Sequence, residues 1–244
     1  MINDVTPYHS NESKRKQVEA MFDNIASTYD SLNHTMSLGI DRKWRNCVVN
    51  YLKDIGSWPM RVLDVATGTG DLALLAAIEL GSDEVVGADI SDKMMKIGEE
   101  KAKALNLSQI VRFVKEDCSS MTFSDKSFEA VISAFALRNF ENIPQCLSEM
   151  RRVLQPNGDI VVIDLCAPRK FPMRQVFYVY KKIIMPCLGA KIAKDKLAFQ
   201  YLPETMSEVP QGEDMAELFR AAGFSDVKYK YLNFGMCCMY TAKR

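Results

Sequence analysis

The sequence predicts an α/β fold built on a doubly wound, mostly parallel sheet. Short apolar runs alternate five times with helical patterns between about residues 61 and 165, which is typical of strands joined by crossover helices. A glycine turn connects the first run to the first helix, and acidic residues stand at the ends of successive runs. The 244-residue chain is long enough for one large domain with a sizeable core.

The composition excludes several functional classes. The formal net charge is zero, so no global field attracts nucleic acid, and we expect no nucleic-acid partner. The seven cysteines contain no C-x-x-C pair and there are only two histidines, so no metal site is expected. No apolar run approaches the ~20 residues of a transmembrane helix, and the polar first residues do not resemble a secretory signal. We therefore expect a cytoplasmic protein.

Residues 1–55 are interpreted as an N-terminal helical cap that belongs to the same domain. Apolar side chains after Ser13 recur at helical intervals and predict an amphipathic helix: Val18, Met21, Phe22, Ile25 and Tyr29. Residues 29–45, YDSLNHTMSLGIDRKWR, mix polar and apolar side chains. We interpret them as a loop that closes over the site, with simple packing of the cap on the core as the alternative. A helix follows from Cys47 to Ile55.

The stretch VLDVATGTGD, residues 62–71, predicts a strand, a turn and a helix. Gly68 and Gly70 allow the backbone to turn tightly and allow a ligand to lie against backbone amides. Asp89 ends the next predicted strand, roughly 20 residues beyond the turn, where a carboxylate can accept both hydroxyl groups of a ribose. The turn and the acid together predict a nucleoside-binding site.

Dinucleotide-binding enzymes share this pattern, so a nicotinamide dehydrogenase is one alternative. Two details favour S-adenosylmethionine (SAM). Asp64 lies inside the predicted strand, and a buried carboxylate needs a partner such as the ammonium group of SAM. The chain also has no second glycine turn for the other half of a dinucleotide. With Glu116 and Asp117 after the third strand, the arrangement resembles the class I SAM-dependent methyltransferases.

Later elements complete the predicted sheet. Ser91 is predicted to cap a helix that buries four side chains: Met94, Ile97, Ala102 and Leu105. The stretch 130–140 is read as a strand that runs into a short turn, and the helix 143–154 is stopped by the sequence QPNG. A helix at 211–222 and two terminal antiparallel strands follow. Ligands of such sheets collect at the carboxyl ends of the strands, which is where four predicted groups stand: residues 64–70, Asp89, Asp117 and Ser133.

We interpret residues 56–244 as the core, with a basic and apolar helical insertion at about residues 169–206. Between Arg169 and Lys196 there are eight basic residues and one acid. The stretch MRQVFYVYKKIIM, between Pro172 and Pro186, predicts a helix that is apolar over a wide face. Such a helix could rest in a membrane interface, line a pocket for an apolar ligand, pack on the sheet or form a homodimer contact.

Four stretches together resemble the ubiquinone/menaquinone biosynthesis C-methyltransferases: YDSLNHTMSLGIDRKWR, VLDVATGTGD, FALRNF and MRRVLQPNG. The resemblance covers nearly the whole chain. It implies a seven-stranded class I fold, SAM as the cofactor, and methyl transfer to a ring carbon of a polyprenylated demethylquinol. We favour 2-demethylmenaquinol, which would become menaquinol. It also implies a loose, peripheral association with the inner face of the membrane that holds this substrate.

The resemblance also implies the cofactor contacts. They are Thr69 in the glycine turn, Asp89, the pair Asp117–Cys118, and Ser133, beside the residues Asp64, Gly68 and Gly70 considered above. Asp117 is expected to face the adenine amine and Cys118 to contribute its backbone amide. The family often has Asn-Ala at this pair. After the fifth strand the sequence is Asp164-Leu-Cys-Ala-Pro168, where the family usually has a carboxylate followed by Phe-Ser-Lys-Pro.

Three residues are predicted to be catalytic: Arg138, Asn139 and Tyr29. A hydroquinol carbon becomes strongly nucleophilic as its hydroxyl group loses a proton. A guanidinium does not act as a base, so we expect Arg138 to stabilise the developing phenolate. Asn139 would orient the ring hydroxyl or a water, and Tyr29 would hydrogen-bond the quinol or the SAM carboxylate. His34 is expected to be structural.

Several alternatives stay open. The acceptor could be a benzoquinol of the ubiquinone pathway or another small lipophilic phenol. The chain could instead be a non-catalytic SAM-binding subunit of a quinone-synthesis complex. An RNA methyltransferase is less favoured, because no aromatic stacking platform accompanies the basic residues.

Overall fold

The computed structural model describes residues 5–56, 61–180, 182 and 196–244. It contains a seven-stranded sheet with the order β3-β2-β1-β4-β5-β7-β6. The first five strands are parallel, and β7 runs antiparallel to both of its neighbours. The predicted doubly wound sheet and the terminal antiparallel pair are confirmed. The strands are β1 Arg61–Val65, β2 Glu84–Asp89, β3 Val111–Lys115, β4 Phe128–Ala134, β5 Leu154–Leu165, β6 Ser225–Leu232 and β7 Cys237–Lys243.

Helices cover both faces of this sheet. Those before β6 along the described chain are α1 Lys14–Ile25, α2 Tyr29–Ser37, α3 Ile40–Asp54, α4 Asp71–Leu80, α5 Asp92–Ala104, α6 Ile143–Val153, α7 Met173–Val179, α8 Lys196–Glu208 and α9 Glu213–Ala221. One apolar core joins the sheet to α6 and α9, and the other joins it to α3 and α4. In β5, Ile160 and Val162 enter the first core, whereas Val161 and Ile163 enter the second. The strands read as continuous apolar runs because both faces of the sheet are buried.

The prediction of a loop at residues 29–45 is wrong. This segment forms α2 and the start of α3, joined by a tight turn in which Leu38 and Gly39 have φ angles of 52° and 76°. Its polar side chains pair with each other across that turn: the Nδ1 atom of His34 lies 2.8 Å from an Asp41 carboxylate oxygen. The mixture of polar and apolar groups therefore belongs to a helical hairpin.

Two smaller predictions concern α5, and the structure confirms the first of them but not the second. Ser91 does cap α5, because its hydroxyl oxygen accepts a hydrogen bond from the Met94 amide. Leu105, however, is 51% exposed, because the helix ends at Ala104 and turns the next side chain away from the core. Gly98 is buried on this helix instead, beneath the ring of Phe113.

The predicted apolar helix after Pro172 begins as α7. Phe177 is buried, whereas Val176, Tyr178 and Val179 are 54%, 56% and 49% exposed. The predicted continuation through residues 183–186 lies outside the described residues, as does part of the segment at about 169–206. Within the part of the chain that the structure describes, no helix is long and apolar enough to cross a membrane.

Candidate active site

A cavity of about 400 Å³ opens at the carboxyl ends of the parallel strands. The sheet reverses its strand order between β1 and β4, and ligands of open α/β sheets bind in the crevice at this reversal. Residues that follow four strands form the floor, and α1 and Tyr29 form the roof. Two non-glycine residues beside it have left-handed backbones, Ala66 with φ 54° and Phe135 with φ 64°. Such strained residues cluster at ligand sites.

Asp89 joins the end of β2 to the glycine turn. Its carboxylate accepts hydrogen bonds from the backbone amides of Gly68, at 2.8 Å, and Ser91, at 2.9 Å. Burial raises the pKa of Asp89, and the amide hydrogen bonds oppose this effect. Gly68 and Asp89 both line the cavity. The structure therefore brings together the two groups that the nucleoside prediction required.

Asp64 lies on β1 and is 1% exposed. One carboxylate oxygen accepts a 2.6 Å hydrogen bond from the Thr67 hydroxyl, whereas the other oxygen, Oδ1, has no hydrogen-bond partner among the described residues. Burial raises the pKa of Asp64 to about 7, with the Thr67 hydrogen bond and the charge of Arg45 opposing the increase. The side chain lines a small cavity of about 20 Å³ that continues from the large one. An unpaired buried oxygen there is suited to a cationic partner.

The hydroxyl group of Thr69 is engaged within the protein. It donates a 2.6 Å hydrogen bond to Asp30 of α2, and the ammonium group of Lys101 lies 3.1 Å from it. Lys101 also contacts carboxylate oxygens of Asp30 and Asp71, each at 2.6 Å. These contacts fix the cap against the glycine turn. At Gly70, φ is +79° and a Cβ atom would lie 2.6 Å from the Phe113 ring, so no other residue fits without strain.

Asp117 and Cys118 line the large cavity after β3. The Arg15 guanidinium of α1 lies 3.0 Å from the Asp117 carboxylate, and Ser119 donates to the same side chain. Burial would raise the pKa of Asp117, but the hydrogen bonds from Ser119 and the charge of Arg15 outweigh it and lower that pKa. The Cys118 sulfur lies 2.9 Å from that of Cys146, and this hydrogen bond together with burial raises the pKa of Cys118.

Ser133 is placed differently from the other predicted contacts. It is fully buried in β4, and its hydroxyl donates a 2.7 Å hydrogen bond to the backbone carbonyl of Val65. Neither Ser133 nor its hydroxyl group lines the described cavities, whereas the next residue, Ala134, does. The Ser133 side chain therefore links β4 to β1 through this hydrogen bond.

The three predicted catalytic residues meet where two cavities adjoin. Tyr29 lines both, Asn139 lines the large one, and Arg138 lines a second cavity of about 70 Å³. Arg138 is buried, and its guanidinium binds the Asp164 carboxylate of β5 and the Phe135 carbonyl. Its Nε atom is buried, and no hydrogen-bond partner for it occurs in the described part of the chain. Burial raises the pKa of Tyr29, and the charge of Arg138 opposes this increase.

The second cavity is mainly apolar. Its walls come from α2, α3, the end of β5, α7 with the residue after it, α8 and the turn before β7. The apolar and aromatic residues are Met36, Trp44, Leu165, Phe177, Tyr180, Leu202, Pro203, Met206 and Met236, and the polar ones include Asn33, Ser37 and Asp41. It shares Tyr29 and Phe135 with the large cavity. A nucleoside-sized cavity that carries the acidic side chains of Asp89 and Asp117 therefore adjoins a smaller, mainly apolar one, which Arg138 lines. This arrangement suits group transfer between a polar and an apolar ligand.

Sequence reasoning missed four residues of this region: Arg15, Arg45, Phe135 and Asp164. Phe135 lay within the FALRNF stretch and Asp164 within the segment noted for its departure from the family pattern, so both carried a signal. Arg15 lay on a predicted helix with no chemical pattern of its own, whereas Arg45 ended the stretch YDSLNHTMSLGIDRKWR, which was predicted to be a loop. In the described part of the chain, no group of three His, Cys, Asp or Glu side chains could hold a metal ion.

Comparison with known proteins gives consistent results. The model of the ubiE/COQ5 methyltransferase family matches residues 10–244. A demethylmenaquinone methyltransferase of Bacteroides fragilis is 48% identical over 240 residues, which cover 98% of this chain and 97% of the relative. One of Porphyromonas gingivalis is 40% identical and covers 97% and 96%. A crystal structure of a SAM-dependent methyltransferase from Aquifex aeolicus has a TM-score of 0.56 at 19% identity, with 78% and 87% of the two chains covered. This likeness confirms the predicted fold class.

Proposed function

The chain belongs to the ubiE/COQ5 methyltransferase family, and on that premise we propose that it methylates a ring carbon of a polyprenylated demethylnaphthoquinol, converting 2-demethylmenaquinol to menaquinol. The junction at Tyr29 and Phe135 between a cavity that bears acidic groups and a smaller apolar cavity carries this proposal. The names of relatives at 40% and 48% identity support the choice of acceptor. SAM, when bound, supplies a sulfonium methyl group that is already activated for transfer.

The large cavity fits SAM in size and in chemistry. Its volume of about 400 Å³ falls within the roughly 300–1,000 Å³ of small-molecule sites. Asp89 would hold the ribose hydroxyls, and Asp117 the adenine amine, beside the Cys118 backbone amide. The Oδ1 atom of Asp64 would accept a hydrogen bond from the ammonium group, which satisfies a buried oxygen that has no other partner among the residues the structure describes. Gly68 and Gly70 keep side chains out of the turn.

The apolar cavity is the proposed site of the acceptor ring. Its volume of about 70 Å³ is below the roughly 300 Å³ at which ligand pockets begin, so acceptor binding would widen it. The walls from α7 and α8 are the ones we expect to move. They pack on α2 through a small cluster of Leu32, Met36, Tyr180 and Leu202. The prenyl tail would leave along the exposed apolar side chains of α7, Val176 and Val179.

Arg138 is proposed to stabilise the phenolate that forms as the quinol loses its proton. Asp164 accepts hydrogen bonds from both the backbone amide and the guanidinium of Arg138, which fixes the orientation of that side chain. The Nε atom, which has no hydrogen-bond partner among the described residues, is one donor left for the acceptor oxygen. Tyr29 stays neutral, because burial raises its pKa, and would donate a hydrogen bond to the same ring or to the cofactor. Asn139 would orient the hydroxyl group or a water that removes the proton.

A peripheral membrane contact is the second part of the proposal. Phe171 is 80% exposed, and Tyr178 of α7 is 56% exposed with the Lys182 ammonium 4.7 Å above its ring. Lys170 and Arg174 are also exposed near this helix. Aromatic and basic side chains together suit an interface of anionic lipid. Flotation with vesicles containing anionic lipid tests it: Phe171→Ser should reduce binding, and unchanged flotation would remove this contact.

Mass spectrometry with isotopically labelled SAM tests the reaction. The purified chain would be given a short-tailed demethylmenaquinol, its oxidised quinone, and a benzoquinol. We expect label on the reduced naphthoquinol only. Label on the oxidised quinone would contradict the phenolate mechanism, and label on the benzoquinol alone would assign the other pathway. SAM binding without any transfer would indicate a non-catalytic subunit.

A further inference from the structure

We propose that Arg45 binds the carboxylate group of SAM, so that Arg45 and Asp64 together form a subsite for an α-amino-acid zwitterion. This inference rests on the proposed function, because it takes SAM as the ligand. It assigns a role to polar residues of the helical hairpin α2–α3 other than Tyr29, to which the proposed reaction gives no function. Three observations support it: the position of Arg45 beside the small cavity, the N–H donors of Arg45 that its contacts leave unused, and the residues that hold its side chain in place.

Arg45 projects from α3 toward the end of the glycine turn. Its side chain is 8% exposed, and it lines the small cavity of about 20 Å³ together with Asp64 and Thr69. That cavity shares Tyr29, Ala66, Gly68, Ala134 and Phe135 with the large one. A nucleoside on Asp89 would therefore extend its amino-acid end toward Asp64 and Arg45. Among the described residues that line the small cavity, Arg45 is the only cation.

The guanidinium of Arg45 is oriented by its neighbours and still has donors to offer. One terminal nitrogen lies 2.6 Å from Asp41, the other lies 3.4 Å from Asp71, and the group stands 5.1 Å from the centre of the Phe135 ring. A guanidinium carries five N–H donors in a fixed plane, so these contacts leave several unused. Its planar shape matches the two oxygens of a carboxylate. Arg45 is thus prepared to receive an anion.

Asp41 holds Arg45 in place and is itself held by the hairpin. Its carboxylate accepts a 2.6 Å hydrogen bond from the Ser37 hydroxyl and lies 2.8 Å from the His34 ring nitrogen. Burial would raise the pKa of Asp41, but hydrogen bonds from Ser37 and Arg45 outweigh it and lower that pKa. Asp41 therefore remains an anion, and His34, Ser37 and Asp41 form a support that fixes the direction of Arg45.

The charges of the small cavity match a zwitterion. Asp64 and Asp71 line it as potential anions, and Arg45 is their cationic counterpart. SAM carries two positive groups, the ammonium and the sulfonium, and one negative group. Its carboxylate would meet repulsion from the two acids unless a cation stood beside them. Lys101 does not line this cavity, and its ammonium contacts Asp30 and Asp71 at 2.6 Å.

Calorimetric titration with two cofactors tests the role of Arg45. SAM carries the carboxylate, whereas decarboxylated SAM differs only by its absence. Charge-assisted hydrogen bonds to a carboxylate are worth about 10- to 150-fold in affinity, so Arg45→Gln should weaken SAM binding by that factor. The same variant should change the affinity for decarboxylated SAM by less than about 3-fold. Arg45→Lys, which keeps the charge but loses the planar fork, should show a smaller selective loss.

Lys53→Gln is the matched control, because Lys53 lies on the same helix, is paired with Glu79 at the surface, and should leave both affinities unchanged. An equal loss of affinity for both cofactors in Arg45→Gln and Arg45→Lys would overturn the inference and assign Arg45 to the support of the fold. Unchanged SAM binding in both variants would overturn it as well. Failure of the unmodified chain to bind SAM would instead refute the proposed function itself.

Discussion

The buried carboxyl group of Asp64 predicts that SAM binding strengthens as the pH rises. Its pKa is raised to about 7, mainly by burial, so the group is largely protonated below neutral pH. Only the carboxylate form can pair with an ammonium group. The cofactor must therefore displace a proton when it binds in mildly acidic solution. The charge of Arg45 lowers the pKa of Asp64 and the charge of Asp89 raises it, and the pKa of about 7 includes both effects.

The expected size follows from the fraction of Asp64 that is ionised. For a pKa of about 7, about 3% is ionised at pH 5.5 and about half at pH 7, so the dissociation constant should fall about 15-fold over this interval. The interval ends at pH 7 because a free α-amino group begins to lose its own proton above that value. About one proton should be released for each SAM bound near pH 5.5.

Calorimetry in buffers of different ionisation enthalpy measures both the affinity and the released proton. Asp64→Asn cannot ionise, so its SAM affinity should vary little with pH. 5′-Methylthioadenosine has no ammonium group, and its binding to the unmodified chain should also vary little. The reasoning is refuted if 5′-methylthioadenosine shows the same pH dependence as SAM, or if Asp64→Asn retains it, because another group would then be titrating.

Two further predictions concern the acceptor side and the glycine turn. Removing Arg138 alone would leave the buried Asp164 carboxylate unpaired, so the double variant Arg138→Ala/Asp164→Asn is preferable. We expect its kcat to fall about 100-fold or more, while its dissociation constant for SAM is unchanged. A parallel loss of SAM binding would indicate a structural role for Arg138. Gly81→Ala, at φ +62° in open space, should cost about 1 kcal/mol in urea unfolding. Gly70→Ala, which meets the Phe113 ring at 2.6 Å, should cost about 1–3 kcal/mol more; equal costs would mean that the ring moves aside freely.

The cofactor side of the site could be predicted from sequence because its signals are local. The strand, turn and helix at residues 62–80 are contiguous, and the roughly 20-residue spacing to Asp89 follows from the length of one crossover helix. The amide of Gly68 indeed donates to Asp89 at 2.8 Å. Ser133 was harder to place, because the alternation along a strand does not reveal whether a hydroxyl faces a ligand or a neighbouring carbonyl.

The acceptor side depends on contacts between distant residues, which the sequence does not encode locally. Arg138 meets Asp164 across 26 residues, because β4 and β5 are neighbours in the sheet. The hairpin at residues 29–45 is predicted to be a loop because its mixture of polar and apolar groups is unusual for a simple connection. In the structure, Ser37 and Asp41 satisfy each other across the turn at 2.6 Å. A polar segment can therefore be helical when its partners lie one turn away on the next helix.

The N-terminal cap connects the two cavities, because α1 covers the large cavity and the hairpin α2–α3 forms walls of the apolar one. Arg15, Glu19 and Asp23 are spaced four residues apart on α1, and each contacts a residue at or beyond the end of β2 or β3: Asp117, Lys115 and Ser91. The ion pairs of Arg15 and Glu19 are partly exposed, so each should stabilise the closed cap by no more than about 1 kcal/mol. A cofactor could enter beneath α1 at modest cost. Since Tyr29 follows that helix and lines both cavities, the position of α1 over a bound cofactor would also set one wall of the acceptor cavity. We therefore expect the acceptor to bind more tightly once the cofactor is in place.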